Sequence, residues 1–498
     1  MPTISQRGID MPASPIRKLV PLANRAKAKG TVVYHLNIGQ PDLATPEVAL
    51  RAAHHLDREV LEYSPSEGIL SFRKKLVEYY HKFNIDVCTD DIIITTGGSE
   101  AVFFSFMACL DPGDEIIVPE PAYANYMAFA ISCGAVIKTI SSTIDEGFAL
   151  PSVEKFEALI TPRTKAILIC NPNNPTGYLY TRKEMNQIRD LVRKYDLFLF
   201  SDEVYREFCY TGAPYISAFH LEGIENNVIL VDSVSKRYSE CGIRIGALIT
   251  KNKQVRENVM KWCQARLSPP LIGQIMAEAS LDTPEEYMRD VYDEYVERRK
   301  FLIDGLNRIP GCYSPIPMGA FYTVARLPID DADKFCAWCL EEFDYEGQTI
   351  FMAPASGFYT TPGLGKNEVR LAYVLKKEDL AKALVVLEKA LETYNKKGKS
   401  KRLKAEEEGG EDRREKRKGK RGKKEVGGRH IIVDRSMKTT DLTQGSIFKS
   451  LWIMAVPLIS ASFIQMAYSM TDMLWLRCRC SRSCRFFYLA LQRFVLYD

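Results

Sequence analysis

The sequence shows little apolar character in its first 13 residues, no metal-ligand cysteine pattern, no internal repeat and no cationic surplus in its main body. Met1–Ala13 is polar, so no secretory signal is expected. Of the 13 cysteines, 10 are scattered between residues 88 and 339, mostly inside apolar runs. That is the usage expected of a reducing, cytoplasmic compartment. Cys336 and Cys339 form a CxxC, but no second CxxC and no nearby histidine accompanies them, which argues against a zinc or redox site. They fall on the amphipathic stretch "DADKFCAWCLEEF", where two cysteines three apart belong to the buried side of a helix. No metal site is therefore predicted. The formal charge of +4 is misleading as a guide to partners. Residues 1–395 carry 43 Lys+Arg against 52 Asp+Glu, whereas residues 396–424 carry 15 against 6 and residues 429–498 carry 9 against 4. The main body is acidic, so charge alone excludes reading it as a nucleic-acid binder.

At 498 residues, 46% hydrophobic and 26% charged, the chain has length for about two to four soluble domains. Between residues 90 and 250, short β-branched runs alternate with helical patterns. Ile92–Thr95, Glu115–Val118, Lys165–Cys170, Leu197–Phe200 and Val228–Val231 read as buried strands, and Arg182–Tyr195 as one of the helices between them. The expected fold class is α/β, a mostly parallel sheet flanked by helices, with polar loops at the carboxyl ends of the strands. After about Thr283 a long helix (Glu285–Leu306), the strands "AFYTVARL" and "EVRLAYVL", and a helix Glu378–Tyr394 predict a smaller α+β domain. Residues 395–424 are charged and nearly free of aliphatic side chains, and residues 396–435 read as a disordered linker. Leu451–Thr471 then runs without a charge for about the length of a membrane helix.

Five motifs in a fixed order carry chemistry. "TTGGSEA" (95–101) follows a strand and opens a helix, where small residues let backbone N–H groups face an anion. "NPNNPTG" (171–177) holds amide donors in a proline-stiffened loop. "SDEVYREF" (201–208) puts Asp202 at a strand end with Tyr205 three residues on. "SVSKRYSECGIRIG" (233–246) puts Lys236 after another strand and Arg244 eight residues later. "EVRLAYV" (368–374) buries Arg370 in an apolar strand, where a charge needs a partner. Taken singly, each is also a turn, a solvated lysine or a structural carboxylate.

Taken together, with "LNIGQPD" (36–42), "YSPSEG" (63–68) and "DPGDEIIVPEPAY" (111–123), they resemble the fold-type I, pyridoxal-phosphate-dependent aminotransferases of class I/II over about residues 10–395. The resemblance implies a Schiff base between Lys236 and pyridoxal 5′-phosphate, and Asp202 against the pyridine nitrogen. It implies that Tyr205 and Asn174 bond the phenolic oxygen and that Tyr123 stacks on the ring. Gly97, Gly98, Ser99, Ser233 and Arg244 would bind the phosphate, with Tyr63 reaching in from a second subunit of a homodimer. Arg370 would clamp the substrate carboxylate, helped by Asn174 and the backbone around Gly39. It further implies an N-terminal arm over 1–44, a cofactor domain over 45–283 and a small domain over 284–395. The expected reaction is ping-pong transfer of an amino group from an L-amino acid, aspartate or aromatic, to a 2-oxo acid. The alternative within the family is a C–S β-lyase using the same lysine. Arg266, in "CQARLSPP", lies near the place where dicarboxylate-specific relatives carry a second arginine, and reads equally as a surface residue.

A second resemblance covers about residues 436–476, which look like the start and first membrane helix of a multidrug and toxin extrusion (MATE) transporter. Residues 477–498 abandon that pattern and stay unassigned. Two readings follow: adjacent reading frames joined after residue 397, or an enzyme tethered to a membrane by this segment.

Overall fold

The computed structural model describes residues 2–397. A seven-stranded sheet runs in the order Ile92–Thr95, Gly246–Ile249, Val228–Ser233, Phe198–Asp202, Thr164–Cys170, Glu115–Glu120, Val136–Ser141. All its strands are parallel except Gly246–Ile249, which runs against both neighbours. The unbroken apolar runs have a simple cause. Successive side chains leave opposite faces of the sheet, and both faces are covered. Ile93, Ile116, Leu168, Phe200 and Val231 enter one buried cluster, while Ile92, Ile94, Ile117, Ile167, Leu199 and Leu230 enter another.

The helix Arg182–Tyr195 forms within its expected limits. Thr181 Oγ accepts from Glu184 N (3.2 Å) and Glu184 Oε2 from Thr181 N (2.7 Å), a reciprocal cap. Met185, Ile188, Leu191 and Val192 are its buried face, and a left-handed Asp196 (φ 49°) ends it. Sequence pattern missed the strands Val136–Ser141 and Gly246–Ile249. The first is only partly buried and is interrupted by Lys138, and the second, Gly-Ala-Leu-Ile, opens on two residues of low strand preference.

The rest of the described chain builds two smaller sheets. Val32–His35 pairs in parallel with Gln348–Phe351, and Ala353–Pro354, Glu368–Ala372 and Tyr322–Arg326 form an antiparallel trio with Arg370 opposite Val324. The long helix spans Glu285–Arg308. The last helix starts at residue 377 and runs through 397, so it takes in the first two residues expected to belong to the linker. No proline or glycine interrupts Tyr394–Lys397, and the lysines suit a helix of this polarity. Cys336 and Cys339 are buried, unbonded to one another, on the helix Ala332–Glu341. The charged linker from residue 398 on, the MATE-like segment 436–476 and residues 477–498 lie outside the described residues. Among the described residues no helix is long and apolar enough to cross a membrane, and no group of three or more His, Cys, Asp or Glu is placed to hold a metal ion.

Candidate active site

The loops that follow five strands of the large sheet leave from one edge, because the strands Ile92–Thr95, Glu115–Glu120, Thr164–Cys170, Phe198–Asp202 and Val228–Ser233 all point the same way. That edge carries Gly97, Tyr123, Asn174, Asp202 and Lys236. It is where open α/β sheets bind ligands.

Lys236 lies in the single turn Val234–Arg237, capped by Ser233, whose Oγ accepts from Ser235 N (3.1 Å) and donates to Ile245 O (2.9 Å). Lys236 Nζ donates to Gly39 O (2.9 Å) and approaches Cys241 Sγ (3.8 Å). Gly39 has no room for a side chain: a Cβ there would sit 1.8 Å from Tyr322 Oη. Tyr322 Oη lies 3.0 Å from Tyr205 Oη, so the two phenols and the lysine converge on one point.

Arg370 is 1% exposed and faces no carboxylate among the described residues. Its Nη1 donates to Asn174 Oδ1 (3.1 Å), its Nη2 to Asn37 O, and its Nε has no partner among the described residues. The rings of Tyr322 and Phe358 lie 4.6 and 4.9 Å from the guanidinium carbon. Burial lowers its pKa, because nothing anionic offsets the lost hydration. A buried cation without a counter-charge is costly, and a carboxylate is the ligand that fits a planar guanidinium.

The anion end is built on the helix Gly97–Cys109. Gly97 takes φ +76°, and a Cβ there would lie 2.3 Å from Arg244 Nη2, so the guanidinium rests directly on this turn. Arg244 itself is left-handed (φ 58°) and exposed, held by Nη1 to Cys241 O (2.9 Å), with no carboxylate partner among the described residues. Gly98 and Ser99 follow in the first helical turn, and Ser233 ends the strand Val228–Ser233, two places along the sheet.

Asp202 is buried, and its Oδ2 accepts from Tyr126 Oη (2.6 Å). Burial, with a smaller push from Asp232 and Glu203, raises its carboxyl to about 6 against the pull of Tyr126. Tyr123, half-buried, stands edge-on to Tyr126 with ring centroids 5.4 Å apart, and its hydroxyl accepts from Asn125 Nδ2 (2.7 Å). A carboxyl pKa raised on folding means that the folded cofactor-free protein keeps a proton that the unfolded chain releases. The resulting advantage exists at low pH and is lost as pH rises from about 4 through about 6. In cofactor-free protein, Asp202→Asn should therefore gain about 2–3 kcal/mol on wild type between pH 4 and pH 7. Urea unfolding at both pH values measures it, and a pH-independent difference would refute the buried-charge account.

Two candidates stand apart from this constellation. Tyr63 is 76% exposed and touches none of it within one chain. Arg266 ends the helix Lys253–Arg266 and is partly exposed and ion-paired. Its Nη1 pairs with Glu100 Oε2 (2.5 Å) and its Nη2 donates to Ser66 O (2.8 Å), so it neutralises the carboxylate beside the Gly97 turn. Sequence reasoning missed Tyr126, Tyr322 and Asn37 as contacts. Tyr126 carried a signal, lying three residues after Tyr123 at a helix start, while Tyr322 and Asn37 carried none.

These residues suit pyridoxal phosphate. A lysine, a buried carboxylate, a glycine cradle under an unpaired arginine and an orphaned buried guanidinium match its aldehyde, its ring nitrogen, its phosphate and a substrate carboxylate. Comparison with known proteins agrees. Residues 31–387 match the family model "Aminotransferase class I and II". The aspartate aminotransferase of Thermotoga maritima is 33% identical over 380 residues, covering 74% of this chain and 95% of its own. The solved structure of Thermus thermophilus aspartate aminotransferase with maleate superposes with a TM-score of 0.71 at 29% identity, over 78% of this chain and all of that one. An alanine aminotransferase from Pyrococcus furiosus gives a TM-score of 0.72 at 31% identity over the same shares. The chain belongs to the aminotransferase class I and II family and is a pyridoxal-phosphate-dependent aminotransferase.

Proposed function

We propose that the protein moves an amino group from an L-amino acid, aspartate or an aromatic one, to a 2-oxo acid in two ping-pong halves. The observation that carries the reading is Arg370, a buried guanidinium with no internal carboxylate, beside Asn174 and the Tyr322–Lys236 cluster. Its fork receives the α-carboxylate of donor and acceptor alike, which is why one site serves both halves. Bound pyridoxal phosphate supplies the electron sink that acidifies the substrate Cα–H. Lys236 Nζ, poised at Gly39 O, takes the Cα proton as general base. Asp202 offers a buried negative charge to a protonated ring nitrogen, and Tyr205 and Asn174 present hydrogen-bonding groups on the Lys236 side. Gly97, Gly98, Ser99, Ser233 and Arg244 hold the phosphate.

The donor preference rests on relatives called aspartate aminotransferases; Arg266 is paired to Glu100 and does not support it. The active unit is a homodimer in this reading. Tyr63, with Val60 (69%) and Leu61 (58%), forms an exposed apolar strip that a second subunit would cover. Residues 45–283 act as the cofactor domain, and residues 1–44 with 284–395 as the small domain, a division supported by the separate sheets. The test adds each amino acid in turn to the cofactor-loaded protein and follows its visible spectrum. Aspartate or an aromatic amino acid should change the spectrum and release its own 2-oxo acid, and 2-oxoglutarate should reverse the change. Pyruvate and ammonia from cystathionine without an acceptor would replace this reading with a β-lyase.

A further inference from the structure

Behind the site lies a buried set of charges that none of the chemistry above uses. Asp202 and Tyr205 face the cofactor side, and the residues after each of them, Glu203 and Arg206, face the other way. The same alternation holds at the next strand end, where Ser233 and Lys236 flank the site and Asp232 and Arg237 turn inward. These four inward residues meet. Asp232 Oδ2 accepts from Arg206 Nη1 (3.2 Å), Tyr80 Oη (2.7 Å) and Arg237 Nη2. Asp232 Oδ1 accepts from Ser233 N (2.7 Å). Arg206 Nη2 reaches Glu203 Oε2 (3.2 Å), and Glu203 Oε1 is anchored by Ser201, Ser217 and Ala218 N. Arg237 Nη1 lies 3.1 Å from Glu207 Oε1, and the Tyr79 ring sits 4.3 Å under Arg237. The side chains of Glu203, Arg206, Asp232 and Arg237 are at most 2% exposed.

We propose that Glu203, Arg206, Asp232 and Arg237 are positioning residues that set the spacing between Lys236 and the Asp202–Tyr205 loop, an inference that rests on the aminotransferase reading above. The physical argument is one of stiffness. Loops at strand ends are ordinarily mobile, and Lys236 sits on a helix of one turn that cannot hold itself. A carboxylate gripped by guanidiniums from both loops, away from water, gives each loop one geometry. Burial pushes the Asp232 carboxyl up, but Arg237 and Arg206 more than offset this and hold it down to about 2, so the grip persists throughout the working pH range. The lysine amine and the Asp202 carboxylate must address two ends of the same small ring, and an error of about 1 Å in such placement costs about 100-fold in rate.

The test compares Asp232→Asn and Arg237→Lys with wild type as cofactor-loaded full chains. Each should lower kcat per loaded site about 10- to 100-fold. The KM for the amino donor should stay within about twofold, because Arg370 and Asn174 are untouched. The pH midpoint of the visible absorbance should move by about half a unit or more, since Lys236 would sit in an altered field. Asp232→Asn leaves two buried cations around a neutral amide, so if it fails to accumulate folded, Arg237→Lys, which keeps the charge, decides alone. Variants that melt earlier yet keep wild-type kcat and absorbance midpoint overturn the proposal and leave the cluster a purely structural role. A wild-type chain without turnover would overturn it too, but would do so before any substitution and through the enzyme reading.

Discussion

Lys236→Ala should fold normally and turn over at least about 10⁴-fold more slowly than wild type. The ammonium makes one good hydrogen bond, to Gly39 O, so its loss changes stability by about 1 kcal/mol at most. Rate is another matter, because Lys236 is the one amine at the point where Tyr205, Tyr322 and Gly39 converge. Lys236→Arg sharpens the test. It keeps a positive charge but cannot give up its proton near neutral pH, so it should be as inactive as the alanine variant. An arginine variant with substantial turnover would mean that charge, not proton transfer, is what the position supplies. Steady-state kinetics with the preferred donor, alongside thermal melting, reads both quantities.

Arg370→Leu should lower kcat/KM about 10²- to 10³-fold for every amino acid and 2-oxo acid, because a charge-assisted, two-pronged hold on the carboxylate is removed. The loss should fall equally on donor and acceptor, since both present the same group. Stability should move the opposite way. The wild-type guanidinium is 1% exposed, with one nitrogen unpartnered and no carboxylate near it among the described residues, so a leucine should hold or raise stability by about 1–2 kcal/mol. Arg370→Lys retains a point charge without the fork and should fall between the two in activity. Urea unfolding and paired kinetics separate a binding cation from a structural one. A structural Arg370 would lose stability and activity together.

Much of the site was readable because its residues sit at fixed offsets from apolar runs. Asp202 lies two residues past "LFLF", Lys236 comes five residues after Val231, and Gly97 lies two residues past "IIIT". A strand buried on both faces advertises itself, and the loop after it inherits a predictable place. Residues acting through contacts with distant parts of the chain gave no such sign. Tyr322 reaches Tyr205 across 117 positions, and Arg370 reaches Asn37 across 333. Arg266 shows the converse: its place in the sequence allowed either a substrate contact or a surface role, and only the fold brings it to its ion pair with Glu100. The strand Gly246–Ile249 was invisible for a related reason. Its run Gly-Ala-Leu-Ile has little intrinsic strand preference, unlike "IIIT", and only its place between Ile92–Thr95 and Val228–Ser233 makes it a strand.

The amino-acid sequence by itself determined the parallel α/β rhythm, the order of the five motifs, and the chemical types brought to one edge: amine, carboxylate, amide, glycine turn and guanidinium. These depend on local pattern, in which apolar periodicity selects strands and chain order places their loops. Only the tertiary structure decided that Arg370 lacks an internal counter-charge, that Asp202 bonds Tyr126, and that Asp232 is shared by Arg206 and Arg237. Each of those facts is a distance between segments far apart in the chain. The shortages noted in residues 1–395 take on their meaning there too. In a body with more acids than bases, the cations at the site that lack a carboxylate partner among the described residues are Lys236, Arg244 and Arg370.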